Sequence, residues 1–216
     1  MRRVAILASA EPWLSPICGA LVSAGHQVIV VGDGRIPAGV KHIPGPIHST
    51  EEIRLRLEAL GDVDAFIVHP APTPGAEPAP PIKGAVSAAA MRRATAFLED
   101  DALWEASLEH ALAMPWRWLR ACFSLALRRS EGSITMLIPG APRPDLQIPE
   151  EIAWRDALAT FVQVSAGHMI ETKVRINGVF VAPQSYPEDL AQLCTTLVEG
   201  GGIQGQMLVA RARLPQ

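Results

Sequence analysis

Short apolar runs alternate with amphipathic segments along this chain. The first three runs are VAIL at 4–7, QVIVVGDG at 27–34 and AFIVHPAP at 65–72. Continuous apolar runs of this length predict strands that are covered on both faces, as in a parallel sheet. Three later segments predict further strands, at 132–140, 173–181 and 206–212.

Helical segments separate these runs. Residues 15–26 favour a helix that has Ser15 as its N-cap and Pro16 at its first position, and Gly25 favours its end. The other predicted helices cover 48–64, 149–170 and 187–201, and a long helical region covers 86–129, with a kink or division at Pro115. Strand and helix therefore alternate at least five times. This alternation predicts a doubly wound parallel sheet, a Rossmann-like three-layer α/β sandwich, as a single domain over residues 1–216.

One segment within this domain has a biased composition. Residues 70–84 read PAPTPGAEPAPPIKG and contain six prolines and two glycines. Such a sequence leaves little room for regular structure. Because the alternation of strands and helices resumes after it, we predict a stiff, extended loop inside the domain rather than a linker between domains.

Composition narrows the class of protein. Of the 216 residues, 49% are hydrophobic and 19% are charged, which is enough apolar material for a large core. The net charge of −3 argues against nucleic acid or an acidic membrane surface as a partner. No apolar run approaches the length that crosses a bilayer. The three cysteines are scattered and odd in number, which indicates neither a disulfide framework nor a metal site and predicts a cytoplasmic location.

The junction between the first strand and the first helix lacks the residues of a phosphate site. Ligands of open parallel sheets bind beyond the carboxyl ends of the strands, and phosphates approach this junction where glycine leaves the backbone uncovered. Residues 8–14 read ASAEPWL and contain no glycine. Trp13 would place a large side chain where the phosphates approach, and Glu11 would add a negative charge. The junction therefore predicts that no nucleotide is cradled there.

Three segments resemble the short-chain dehydrogenase/reductase family in their order and spacing. They are LEDDALWEASLEHAL at 98–112, KVRINGVFVAP at 173–183 and YPEDLAQLCTTLVEGGGIQGQMLVARA at 186–212. In that family the corresponding segments are the entry into the central helix, an Arg-Val-Asn strand with its following proline, and the last helix, glycine turn and closing strand. The resemblance covers nearly the whole chain and implies the family's doubly wound fold.

The resemblance also places the family's functional motifs on this sequence. The glycine-rich turn falls on residues 8–14. The catalytic positions fall on Ala111 for the helix asparagine, Ile138 or Pro139 for the serine, Glu151 for the tyrosine and Arg155 for the lysine. The chain's one tyrosine, Tyr186, lies far along the sequence from that tyrosine position. The resemblance thus implies the fold of the family without its catalytic residues.

These departures predict a non-catalytic structural or regulatory subunit for which no cofactor is expected. In the resembled family two long helices, here within 86–129 and 149–170, pair across a two-fold axis. A homo-oligomer, or a hetero-oligomer with an active family member, is therefore implied. Two alternatives stay open. One is an NAD(P)-dependent oxidoreductase with an atypical active site, and the other is a small-molecule sensor in the same crevice, with Trp13 and residues 70–84 as its lid.

The remaining candidate residues have structural as well as functional interpretations. Asp33 ends the second predicted strand and is a weak cofactor-binding candidate for an adenosine ribose, although a turn residue is the favoured interpretation. The atypical oxidoreductase would use His69, Glu151, Arg155 and Asn177. Glu151 and Arg155 are also spaced for an ion pair along a helix. The arginine pair 128–129 is predicted to be a solvated face, and no histidine has the spacing of a metal ligand.

Overall fold

The described residues form one parallel sheet. A computed structural model of the protein describes residues 1–8, 13–32, 36–44, 50–69, 112–139, 149–181 and 185–210, except for the side chains of residues 149–152. Its strands are β1 Arg3–Leu7, β2 Gln27–Val31, β3 Lys41–Ile43, β4 Ala65–Val68, β5 Glu131–Pro139, β6 Lys173–Val181 and β7 Met207–Val209. They lie side by side in the order β3-β2-β1-β4-β5-β6-β7, and every neighbouring pair is parallel.

Helices cover both faces of this sheet. Those within the described ranges are α1 Leu14–Ser23, α2 Thr50–Glu58, α3 Met114–Arg129, α4 Pro149–His168 and α5 Pro187–Glu199. Alternate strand residues face opposite sides, so Ala5 and Leu7 join the core under α2, α3 and α4, whereas Val4 and Ile6 join the core under α1 and α5. The central strands β1, β2 and β4 are apolar over the buried part of their length because both faces are covered.

The strand order reverses beside β1. From β1 the chain moves outward through β2 to β3, and then returns to β4 on the other side of β1. From there it continues outward through β5 and β6 to β7. The carboxyl ends of β1 and β4 therefore adjoin at a topological switch point, which is where open α/β sheets bind ligands.

The predicted fold class is confirmed, and all six predicted strands are present. β3 is an additional strand that the sequence pattern did not predict. Lys41–Ile43 is short and only partly buried at the sheet edge, so it contains no apolar run. α1 begins at Leu14, so the prediction of Ser15 as its N-cap is wrong, whereas Gly25 follows its end with a φ of 82°. Pro115 lies in the first turn of α3. Residues 70–84 lie outside the described residues.

Candidate functional site

Backbone hydrogen bonds fix the two residues that follow β1 and β4 at the switch point. The N–H of Ala8 donates to the Val31 carbonyl at 3.2 Å, and the N–H of His69 donates to the Leu7 carbonyl at 2.9 Å. The ladders between strands therefore extend one residue beyond β1 and beyond β4. The bond at His69 fixes the backbone position from which its side chain projects.

An indole and an imidazole occupy this end of the two strands. Trp13 directly precedes α1, is 8% exposed and belongs to the core under α1 and α5. Its ring meets the His69 ring edge-on, with centroids 4.4 Å apart and planes at 66°. Such T-shaped contacts stabilise an aromatic pair beyond the area that it buries. Side chains, rather than uncovered backbone, thus occupy the described part of this junction.

A glycine does lie nearby, but it serves strand packing. Gly32 follows β2 with a φ of 134°, and a Cβ atom there would collide with the carbonyl oxygen of Ala8. The ring Nε2 of His42 lies 2.8 Å from the Gly32 carbonyl oxygen. Gly32 therefore allows the ends of β2 and β1 to approach each other. Asp33, the weak cofactor-binding candidate, lies outside the described residues.

The electrostatics of His69 are those of a buried, neutral imidazole. His69 is 3% exposed, and its buried Nδ1 has no hydrogen-bond partner among the described residues. Burial lowers the pKa of His69 to about 3, because the charged form would lose its hydration. At neutral pH the ring is therefore uncharged, and it pairs with Trp13 through an aromatic contact.

This burial predicts a pH-dependent stability. Between about pH 6.5 and pH 3 the unfolded chain binds a proton at position 69 that the folded chain does not bind, so the free energy of unfolding falls as the pH falls. We expect His69 to account for about 2 kcal/mol of that loss between about pH 7 and pH 5. Urea unfolding of the wild type and of His69→Phe across this range measures it. Equal slopes with pH for the two proteins would contradict the prediction.

Among the family's catalytic positions, as placed by the resemblance, the structure describes the side chains of Ile138 and Arg155. Ile138 is fully buried in the core under α2, α3 and α4 and offers no hydroxyl. Arg155 lies on α4, where its Nε is 3.3 Å from a carboxylate oxygen of Asp156. Glu151 lies in the first turns of α4, but its side chain is outside the described residues, and so is Ala111. The ion pair between Glu151 and Arg155 stays a prediction.

Asn177 lies in the middle of β6 and hydrogen-bonds the residues that lead into β7. Its Nδ2 donates to the Ile203 carbonyl at 3.0 Å, and its Oδ1 accepts the N–H of Gln206 at 3.0 Å. Both partners precede β7, so they lie at its amino end. Asn177 therefore holds the entry into β7 and is not brought together with His69.

A basic pocket at this amino-terminal edge was missed by sequence reasoning. It encloses about 610 Å³, and Arg129 lines it. The prediction of a solvated face is wrong for Arg129, because its Nη2 lies 2.8 Å from Asp64 Oδ1 and its side chain is only one-quarter exposed. Arg128 is more than half exposed and pairs with Glu58. The available signal was the set of basic residues that flank the starts of strands: Arg2, Arg129, Lys173 and Arg175.

The described parts of the chain contain neither a cluster of metal ligands nor a membrane-spanning helix. No three histidine, cysteine, aspartate or glutamate side chains there lie close enough to hold a metal ion. No helix in those ranges is long and apolar enough to cross a membrane. Cys18, Cys122 and Cys194 are buried and free.

An apolar surface is exposed where α3 packs beside α4. Trp116 is 46% exposed and meets the ring of Phe161 edge-on at 4.4 Å. Val164 follows about one turn later on α4 and is 54% exposed. We call these three residues the α3/α4 patch. Exposed apolar residues that lie together mark surfaces that other proteins cover.

Comparisons with known proteins identify the fold. No protein-family model matches the chain, and no curated protein matches its sequence. Among solved structures, a short-chain type dehydrogenase/reductase from Mycobacterium marinum is 16% identical, with a TM-score of 0.70 over 97% of this chain and 93% of its own. An NADH-dependent reductase, A1-R′ complexed with NAD, is 15% identical, with a TM-score of 0.73 over 99% and 97%.

A further structure shows the same similarity. The 3-ketoacyl-(acyl-carrier-protein) reductase from Brucella melitensis, complexed with NADH, is 14% identical, with a TM-score of 0.70 over 96% of each chain. Likeness over nearly the full length of both chains, at such low identity, concerns the backbone and not the chemistry. The protein therefore has the fold of the short-chain dehydrogenases/reductases.

Proposed function

We propose that this protein is a non-catalytic subunit with the short-chain dehydrogenase/reductase fold that pairs with an active family member. The observation that carries the proposal is the buried contact between Trp13 and His69 at the switch point. A dinucleotide requires backbone N–H groups at this junction that no side chain covers. The described residues here do not fit that group, so no cofactor is proposed.

The residues at the family's catalytic positions support the same proposal. Reduction of a carbonyl by hydride transfer needs a group that donates a proton near neutral pH. Ile138 is apolar, and a glutamate such as Glu151 is ordinarily ionised at that pH. An arginine at position 155 stays protonated and cannot give up a proton. The chain thus retains the scaffold, while these side chains do not supply the proton.

The α3/α4 patch supports a role in assembly. Trp116, Phe161 and Val164 form an apolar surface on the two helices that the resembled family uses for pairing. Tryptophan and phenylalanine are enriched at the centres of protein interfaces. We therefore propose that this patch is the contact with the active subunit, or with a second copy of the chain when that subunit is absent.

A cytoplasmic location is part of the proposal. Cys18, Cys122 and Cys194 are free and buried, as in proteins of reducing compartments. Burial raises the pKa of Cys18 to about 11 and that of Cys194 to about 12, so both thiols are unreactive at neutral pH.

Nicotinamide titration tests the absence of a cofactor. We expect no saturable binding of NADH or NADPH up to about 1 mM, because Trp13 and His69 fill the pyrophosphate position. Quenching of tryptophan fluorescence and calorimetry are suitable measurements, with an active family member as the positive control. Saturable binding in the micromolar range would instead favour the NAD(P)-dependent oxidoreductase with an atypical active site.

Co-purification tests the pairing. The tagged chain is purified from its native host, and the complex is sized and its proteins identified. We expect a stoichiometric complex with a short-chain dehydrogenase/reductase that has an intact Tyr-X-X-X-Lys motif. Recovery of the chain alone, as a monomer at high concentration, would contradict the proposal. Recovery as a self-oligomer without such a partner would contradict the pairing with an active subunit. It would support only the part of the proposal that concerns the pairing surface.

A further inference from the structure

The pocket at the amino-terminal edge of the sheet lies opposite the switch point. Residues that precede or begin β1, β4, β5, β6 and β7 line its volume of about 610 Å³. Ligands of open α/β sheets bind at the carboxyl-terminal edge, so the fold by itself does not account for a pocket here. What the pocket binds therefore depends on the side chains that line it.

Basic residues outnumber acidic residues in this pocket by four to two. The basic residues are Arg2, Arg129, Lys173 and Arg175, and the acidic ones are Asp64 and Glu131. Arg129 engages both acids, because its Nη2 lies 2.8 Å from Asp64 Oδ1 and 3.9 Å from Glu131 Oε1. Within the described residues, none of the other three basic side chains forms an ion pair with a carboxylate. The pocket therefore keeps an uncompensated positive charge.

Unsatisfied hydrogen-bond donors lie at the same place. Within the described part of the chain, the buried Nη1 atoms of Arg175 and Arg129 have no hydrogen-bond partner. Ser133 is in register with Arg175 on the neighbouring strand, and its buried hydroxyl also lacks a partner among those residues. Buried donors are normally paired, and leaving one unpaired is costly. The described part of the chain thus supplies the guanidinium groups of Arg129 and Arg175 with fewer acceptors than they have donors.

Structural roles account for Arg2 but not for Arg175. The Arg2 guanidinium donates to the carbonyl oxygens of Val198 and Glu199, at the negative end of the α5 dipole. Among the residues that the structure describes, the Arg175 guanidinium has no such acceptor. Burial, and then the positive charge of Arg2 nearby, lower the pKa of Arg175. An anion between the two guanidinium groups would relieve their repulsion and replace the hydration that Arg175 has lost.

We propose that this pocket binds the phosphate group of a small organic phosphate through Arg175 and Arg2, with Lys173 adding to the positive field. Guanidinium groups present paired N–H donors that match the oxygens of a phosphate dianion. Met169 and Ile170 supply an apolar wall for the organic part, and Ile170 is 79% exposed. The volume is within the usual range for small-molecule sites.

Calorimetry on the full chain tests this site, with inorganic phosphate and phenyl phosphate as probes. Both are titrated at constant ionic strength, with chloride as the replaced anion, so that general screening is held fixed. We expect saturable binding at one site, and tighter binding of phenyl phosphate than of inorganic phosphate. Equal affinities would overturn the organic part of the proposal, and the absence of saturable binding for both probes would overturn all of it.

Matched charge variants locate the site. We expect Arg175→Gln to weaken phenyl phosphate binding about tenfold or more, because it removes charge-assisted hydrogen bonds. Lys41→Gln removes the same charge from β3, at the other end of the strand order, and should leave the affinity unchanged. Circular dichroism confirms that each variant is folded. Lys173→Gln, at an exposed position, provides a second test that does not disturb buried groups.

The proposal fails if Arg175→Gln and Lys173→Gln bind both probes as the wild type does. It also fails if Lys41→Gln weakens binding as much as they do, because the effect would then follow net charge rather than the pocket. Neither result bears on the pairing surface or on nicotinamide binding, since both concern other parts of the molecule.

Discussion

Replacing Trp13 by alanine should lower the free energy of unfolding by about 3–5 kcal/mol. The indole is nearly buried, and it packs both into the core under α1 and α5 and against His69. Its removal takes a large apolar side chain out of the core and leaves a cavity, and both effects are destabilising. Urea or guanidinium unfolding, followed by circular dichroism, measures the loss.

Trp116→Ala is the matched control for this prediction. The same change is made at a side chain that is about half exposed and that meets, among the described aromatic rings, that of Phe161. We expect a loss of about 1 kcal/mol, mainly from the aromatic contact. If Trp13→Ala were no more destabilising than Trp116→Ala, Trp13 would not fill the switch point, and the main observation behind the proposed function would be lost.

Replacing Val164 by aspartate should weaken assembly at least about a hundredfold. Val164 is exposed in the isolated chain, so the substitution should change the stability of the monomer little. In the proposed assembly the same position is covered by the partner, and an unpaired carboxylate would be buried there. Sedimentation velocity, on the chain alone and on its mixture with the active subunit, measures the association.

Val22→Asp provides the control for assembly. Val22 is 48% exposed on α1, which covers the other face of the sheet from α3 and α4. The change in charge and size is identical, so association should survive in this variant. Assembly that persists in Val164→Asp but fails in Val22→Asp would move the interface to the α1 side and contradict the assignment of the α3/α4 patch.

The two edges of the sheet have distinct proposed roles. At the carboxyl-terminal edge, Trp13 and His69 occupy the position where related folds hold a ligand. At the amino-terminal edge, Arg175 and its neighbours leave charge and hydrogen-bond donors uncompensated. If both proposals hold, a non-catalytic subunit would still bind a small phosphorylated molecule, through a site that the fold does not dictate.

The sequence by itself determined the fold class and most of the elements. Runs such as VAIL and KVRINGVFV are apolar at most positions because both faces of a parallel strand are buried, so this signal is local and strong. The absence of glycine from residues 8–14 was also evident from the sequence alone. The short edge strand β3 gave no such signal, because only part of Lys41–Ile43 is buried.

Only the tertiary structure decided which side chains meet. Trp13 and His69 were separate candidates in the sequence, one for a lid and one for an acid or base, and the crossover from β3 to β4 places them in contact. Asn177 was a catalytic candidate in the sequence, and the structure shows that its amide hydrogen-bonds the backbone of Ile203 and Gln206. The basic pocket collects residues from position 2 to position 204, which are far apart along the chain. Contacts between such distant residues depend on strand order and register, and these are set by packing of the whole sheet rather than by any local pattern of residues.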